Sequence, residues 1–497
     1  MYINFSDAAK FADIARNLIN GSGFNCDFSF WSSKIWTPPV TSYSIAMFFK
    51  IFGTSDFAVI ATSFFYFVLT LIFTFLLGRK IFNSKLVGFL STIAVGFNYD
   101  LIYYATNGAS ESPFIFEIVA ASYFASIRKK WAGVVTILFL VLMYFTRPQA
   151  FIYIAGIIFY WLLVNFKLKK SLIYFMGVTV AAFLFDRFVL FPLSGKYFLY
   201  SITGKTFGFS FDQSSVASGV LRGAASTIGG GVVQIFKNIF YNLYNFFKLI
   251  PQIVSPYLFA VFAIGLFIKT RTKFESSFKI ASVFMIALTL LVSAASIPFF
   301  RYLHPIIPLI YVIAVGTIVK ILEFQMTKRT HLFLASCILI LLFGVGQTLG
   351  VLLLDSRFER NTHNVGKPPV YVELSKILKT NTDPDDIVVT NLDTWGSWYG
   401  ERKTVWFPVE PKQIIDPTTG KISFDAIYLT SYLIDDANYY MGNNWRMIFE
   451  NPKDSSKWIC DGCAEIATEF MVKGVYKVSA TDDYEKQNAS AILLIKK

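Results

Sequence analysis

The feature that most constrains this chain is a succession of apolar stretches between residues 57 and 354, separated by polar loops. They fall at about 57–77, 86–99, 112–127, 132–146, 149–165, 171–192, 252–268, 278–297, 303–321 and 331–354. A bilayer core is crossed by about 20 apolar residues as a helix, and within it the backbone must satisfy its own hydrogen bonds. Several stretches are shorter than that, but together they predict a mainly α, polytopic membrane protein of about ten spans. The run from 132 to 165 is interrupted by Thr146-Arg147-Pro148-Gln149. Pro148 has no N–H for the helical ladder, so two short helices joined by a turn are expected there. Only 15% of residues are charged, well below the quarter usual in soluble domains.

A net charge of +13 raises the possibility of a nucleic-acid partner, and its placement argues against one. Alternate loops carry Arg79, Lys80 and Lys85; Arg128, Lys129 and Lys130; Lys167, Lys169 and Lys170; Lys269, Arg271 and Lys273; and Lys320, Lys328 and Arg329. The loop 98–111 between them has no Lys or Arg. The positive-inside rule makes the basic loops cytoplasmic, so most of the excess charge is topological. The expected location is the plasma membrane. Residues 1–53, 98–111, 193–250 and 355–497 would then share the external face with Arg147 and Arg301.

The chain divides into a membrane region, 1–354, and a tail, 355–497. Residues 7–24 open with an amphipathic helix. Ala8, Phe11, Ala12, Ala15, Leu18 and Ile19 recur at helical spacing, and Gly21 and Gly23 end it. This helix and a second at 41–52 suit a membrane surface. In the loop 193–250, residues 201–231 are rich in Gly and Ser and read equally as a lid or a linker. Residues 232–250 read as another interfacial helix, with Lys237, Asn238, Asn242, Asn245 and Lys248 on one stripe. The tail has β-like runs at 387–391, 425–432 and 489–497 and a helix at 370–380, which predicts a small extracytoplasmic α/β domain. Cys460 and Cys463 could pair as a disulfide there.

No serine elbow, HExxH, phosphate-cradling loop or dinucleotide fingerprint is present. The informative residues are polar groups expected at the external boundary. Asp7 is a candidate general base or metal ligand, although on spacing alone a helix N-cap is the simpler reading. Asp100 and Glu111 lie in the loop between two spans, and Glu111 could equally complement a helix dipole. Asp27 is a further loop acid. Arg147 and Arg301 suit phosphate recognition as well as interfacial snorkelling. His304, three residues after Arg301 on an expected helical face, could add a hydrogen bond to a phosphate oxygen.

Four groups of residues, in this order, resemble the GT-C glycosyltransferases. They are Asp7, Phe11, Ala15, Leu18, Gly21 and Gly23 followed by Thr37-Pro38-Pro39; Glu111-Ser112-Pro113-Phe114; Thr146-Arg147-Pro148; and Arg301-Tyr302-Leu303-His304-Pro305. The nearest resemblance is to the dolichyl-phosphate-mannose–protein mannosyltransferase superfamily, which includes the bacterial aminoarabinose transferase of lipid A. Members often carry paired acids in the first loop, where Asp7 is here followed by Ala8, and usually a membrane helix ahead of that loop. The resemblance implies an inverting glycosyltransferase. Its donor is a sugar on a polyprenyl phosphate; its acceptor is a lipid, a glycan or a protein; a divalent metal is left open. Asp7, with Asp100 and Glu111, would supply the carboxylates, and Arg147, Arg301 and His304 would hold the donor phosphate. The competing expectations are a flippase without chemistry, which usually places ionisable groups at mid-membrane and shows repeats, and a polysaccharide polymerase or ligase.

Overall fold

The computed structural model describes residues 2–3, 5–30, 37–190, 231–295, 300–326, 328–346, 348–349, 368–392, 394–408, 410–431, 443–479 and 488–497. The segment 201–231 lies outside these residues except for Gly231, which opens a helix.

Each of the apolar stretches contains a helix. They are α3 (Asp56–Phe82), α4 (Lys85–Gly96) with α5 (Tyr99–Ala105), α6 (Glu111–Ala125), α7 (Lys130–Thr146), α8 (Ala150–Asn165) and α9 (Leu168–Phe185). After the loop come α10 (Gly231–Ile253), α11 (Pro256–Phe267), α12 (Lys273–Ala295), α13 (Ile307–Gln325) and α14 (Arg329–Ile340). By length and composition, four helices among the described residues are apolar and long enough to cross a membrane: Asp56–Phe82, Leu168–Val189, Lys273–Ala295 and His304–Gln325. A fifth follows if α4 and α5, bent by 70°, count as one span. The molecule is a multi-pass membrane protein with four or five clear spans among the described residues, and the other apolar stretches form shorter helices.

The bend has a local cause. Asn98 caps α5 by accepting from Leu101 N at 3.1 Å, and its amide donates to Ile253 O and to the Tyr311 hydroxyl. The break at 146–149 is present too, since α7 ends at Thr146 and α8 begins at Ala150. α13 is almost wholly buried at the centre of the bundle, whereas α9 exposes nearly all of its length.

The tail is an α/β layer. A six-stranded sheet has the order β1-β3-β2-β4-β6-β5, with β2 (Ile387–Thr390), β3 (Lys403–Trp406), β4 (Ala426–Thr430), β5 (Phe470–Val478) and β6 (Ala489–Lys496). Its edge strand β1 (Phe28–Phe30) comes from the other end of the sequence and pairs in parallel with β3, Phe28 against Thr404 and Phe30 against Trp406. Alternation along the strands gives the sheet two apolar faces. Val389, Ile427, Leu429 and Leu494 face Trp445 and Ile466. Val388, Ala426, Tyr428 and Leu493 face α15 (Val370–Asn381), α16 (Trp395–Trp398) and the N-terminal helices. Cys460 and Cys463 form a disulfide just ahead of a short helix, Cys463–Glu469.

The N-terminal helices α1 (Ser6–Ile19) and α2 (Pro39–Phe52) form where expected, but α1 is not a free surface helix. Ala8, Phe11, Ala12 and Ala15 share one apolar cluster with Ile45, Phe49, Val59, Tyr371 and Trp398. Its polar side is covered as well, because Asp13 and Asn17 are buried. Asn25, Cys26 and Asp27 of the first loop cover Asn17 and Asp13, and the tail covers Arg16 through Ser397 O and Trp398 O.

Candidate active site

Asp7 stands in the first turn of α1, and the expected capping role is not what its side chain does. The N-cap is Phe5, with no side-chain capping bond. The Asp7 carboxylate instead accepts from Arg301 at 2.7 Å. Arg301 sits on a 3-10 turn, Phe300–Tyr302, with the Phe5 ring 5.3 Å and the Tyr302 ring 5.7 Å from its guanidinium carbon. His304 begins a separate 3-10 turn, His304–Ile306, so the two residues are not on one helical face. Pro305 and Pro308 account for the tight turns ahead of α13, since neither can donate to the ladder.

The other candidates gather around this pair. Arg147, at the C-terminal end of α7, lies 2.5 Å from Glu111 at the start of α6 and donates to the Ser110 hydroxyl at 3.0 Å. His304 Nε2 lies 3.4 Å from Asp100 of α5, and its Nδ1 is 3.1 Å from the Tyr104 hydroxyl. All six residues thus occupy one end of the bundle as three acid–base pairs. Their accessibility separates them. The side chains of Asp7 and Arg301 are 47% and 27% exposed, against 1% for Glu111 and 9% for Arg147.

Burial pushes the Asp7 carboxyl upward, but the Arg301 guanidinium, with Lys10 and Arg147 further off, holds it below the ordinary carboxylate value. Asp7 is therefore ionised at neutral pH, and its side chain is partly exposed.

Several supports of this geometry are not legible in the sequence. Gly108 has φ +78°, and a Cβ there would lie 2.4 Å from Val59 Cγ1 and 3.2 Å from Ala8 Cβ. Only glycine lets the 106–110 loop pass so close to α1. From the tail, the Thr394 hydroxyl donates to Ser6 O at 2.6 Å and the Tyr371 hydroxyl to Ile3 O at 2.7 Å. Arg16 donates to Ser397 O and Trp398 O. Asp56, at the start of α3, accepts from Trp398 Nε1 and from the Tyr399 hydroxyl, each at 2.8 Å. Asp27 lies outside the cluster and faces Arg16 at 3.7 Å. Nearby, Asp13 accepts from Asp27 N at 2.7 Å and from the Cys26 thiol at 3.3 Å.

Among the described residues no group of three or more His, Cys, Asp or Glu side chains is placed to hold a metal ion. Each of the three site carboxylates already faces a guanidinium or an imidazole.

Residues 37–190 match the family model of the dolichyl-phosphate-mannose-protein mannosyltransferases. The match covers Asp100, Glu111 and Arg147; Asp7, Arg301 and His304 lie outside it. The chain is mannosyltransferase-like across those helices. An uncharacterised protein of Aquifex aeolicus (strain VF5) is 28% identical over 200 residues, 38% of this chain and 38% of that protein. The matched stretch thus spans well under half of that relative's length. Among solved structures, ArnT from Cupriavidus metallidurans bound to undecaprenyl phosphate is 12% identical, with a TM-score of 0.48 over 98% of this chain and 93% of that one. Its apo state is 11% identical, with a TM-score of 0.45 over the same shares.

Proposed function

We propose that the protein is an inverting membrane glycosyltransferase. It moves a sugar from a polyprenyl phosphate to a hydroxyl of a lipid, glycan or protein acceptor at the external face of the plasma membrane, with the tail outside the cytoplasm. One observation carries this reading. An accessible carboxylate, Asp7, and an accessible guanidinium, Arg301, lie 2.7 Å apart at one end of an apolar bundle. The family match along α3 to α9 supports it.

The residues divide the chemistry as follows. The acceptor oxygen attacks the anomeric carbon as its proton passes to the Asp7 carboxylate. The bond from that carbon to the phosphate oxygen breaks, and its electron pair stays on the phosphate. Arg301 meets the growing negative charge with a charge-assisted, planar pair of donors. Arg147 adds positive charge from a deeper position, and His304 can add a hydrogen bond to a phosphate oxygen. Attack opposite the leaving group inverts the anomeric centre. The tail fixes α1 from above and sets where Asp7 points.

Asp7→Asn separates chemistry from architecture. The amide fills the same volume but takes no proton. Transfer is expected to fall by about 10²–10⁴-fold, the usual scale for losing acid–base assistance, with little change in folding. Mass spectrometry of membrane lipids and surface glycans in cells expressing either form reads the loss. Equal product from Asp7→Asn and the native chain would remove Asp7 from the chemistry.

A further inference from the structure

Among the described residues, the three basic side chains paired at the site each face a carboxylate. Arg301 faces Asp7 at 2.7 Å, Arg147 faces Glu111 at 2.5 Å, and His304 faces Asp100 at 3.4 Å. A phosphate that binds Arg301 or Arg147 must therefore share or take a guanidinium that already has an anionic partner. The three pairs are not equally open to exchange. Glu111 and Arg147 are sealed, and the same nitrogen of Arg147 that faces Glu111 also donates to the Ser110 hydroxyl. Breaking that pair would strand a buried charge, which costs several kcal/mol. The Asp7–Arg301 pair is partly exposed, so either member can be rehydrated when the other leaves, and such pairs contribute at most about 1 kcal/mol.

We infer that Asp7 is the occupant of the phosphate position in the empty site, and that the lipid phosphate displaces it from Arg301. The inference rests on the glycosyltransferase reading and deepens it. A carboxylate oxygen and a phosphate oxygen present the same acceptor to the same guanidinium N–H. The exchange has a consequence for order. While Arg301 holds it, the carboxylate shares its charge with the guanidinium and is a poor proton acceptor. Once the donor phosphate takes Arg301, the carboxylate is released beside the anomeric carbon as a stronger base. The base is armed by the donor's arrival, and an acceptor or water that enters an empty site meets a carboxylate already engaged. The Phe5 and Tyr302 rings flank the guanidinium and keep it in place through the exchange.

The test is binding, without turnover. The full chain in nanodiscs is titrated with undecaprenyl phosphate, with undecaprenol as the uncharged control, for the native chain, Asp7→Asn and Arg301→Ala. Asp7→Ser serves as a second way to remove the carboxylate should the amide be poorly tolerated. Removing the competitor is expected to tighten phosphate binding by up to about fivefold, the scale of a partly exposed ion pair, while Arg301→Ala weakens it. Unchanged affinity in both Asp7 variants, with Arg301→Ala still weakened, would overturn the displacement and leave the phosphate site standing. No preference for the phosphate over the alcohol in any form would overturn the donor reading itself, and the displacement with it.

Discussion

The two ends of the helix bundle handle buried charge in opposite ways. At one end Glu275 of α12 accepts from Lys320 Nζ at 2.8 Å, from Lys279 Nζ at 3.0 Å and from Arg271 N at 2.7 Å. The two ammonium groups also reach Lys269 O and Ile268 O. All three charged side chains are buried, and each ammonium group has two acceptors. Nearby, Lys80 and Arg128 both lie over the Phe274 ring. At the other end, roughly 24 Å away along α13, the Asp7–Arg301 pair is left half open and one partner can leave. The first arrangement is closed and can only hold helices together. The second has capacity to spare, which a site that binds an anion needs. Counting ion pairs would not distinguish them; exposure does.

This contrast sets the largest expected effects. Glu275→Gln strands two buried ammonium groups and should cost about 3–5 kcal/mol of stability. Arg147→Ala should cost a similar amount, because it leaves Glu111 buried without its cation. Arg301→Ala and Asp7→Asn should each change stability by less than about 1 kcal/mol. Thermal unfolding of the detergent-purified variants ranks them. A loss from Arg301→Ala as large as that from Arg147→Ala would erase the distinction between the sealed and the open pair. Arg147 and Arg301 read alike in the sequence, as cations on an unexpected side; the structure separates a buried residue from a partly exposed one.

The sequence carried the helices because lipid imposes a length and a composition that each segment must meet alone. It did not carry the 70° turn after Gly96, which depends on Asn98 reaching Ile253 O and Tyr311. The candidate residues were visible as types, but their pairing was not. Asp7 meets Arg301 across 294 positions of sequence, and no local pattern reports that. Proximity to a helix start made capping the simpler reading for Asp7, and a long-range partner displaced it. β1 shows the same limit, since its three residues are a strand only because β3 lies beside them. Asp56 gave no signal at all. It looks like an ordinary acidic first-turn residue and is the point where α3 holds the tail.

That clamp gives a prediction of intermediate size. Asp56→Ala removes the acceptor from both Trp398 Nε1 and the Tyr399 hydroxyl. Leaving such donors unsatisfied costs about 1–3 kcal/mol. Because Tyr399 also accepts from Ile3 N, the loss reaches the segment just ahead of Asp7. Faster proteolytic release of the tail, with reduced transfer, is the expected outcome. Native transfer from a chain whose tail has loosened would show that the tail is not what orients α1.

The smallest effect is a displacement along the pH axis. The charged groups around Asp7 are Arg301 on its turn, Lys10 one turn along α1, and Arg147 beyond, while Glu111 on α6 acts on Arg301. Burial raises the Asp7 carboxyl and these cations outweigh it, so its folded value lies below the ordinary 3.8. Its contribution to folding is thus complete above that value and is lost as the pH falls through the lower folded one. For catalysis, the pH dependence of kcat/KM reports the free enzyme, where Arg301 is on Asp7, and that of kcat reports the loaded enzyme. If the donor phosphate takes Arg301, the acid limb in kcat must lie at higher pH than the acid limb in kcat/KM. In Arg301→Ala the free-enzyme limb should itself move up, since burial is no longer opposed by the nearest cation, and the gap between the two limbs should narrow. Lys10 and Arg147 remain, so the shift is partial. Coincident limbs in the native enzyme would mean that Arg301 stays on Asp7 throughout the reaction, and the phosphate would then have to be held by Arg147 and His304 alone.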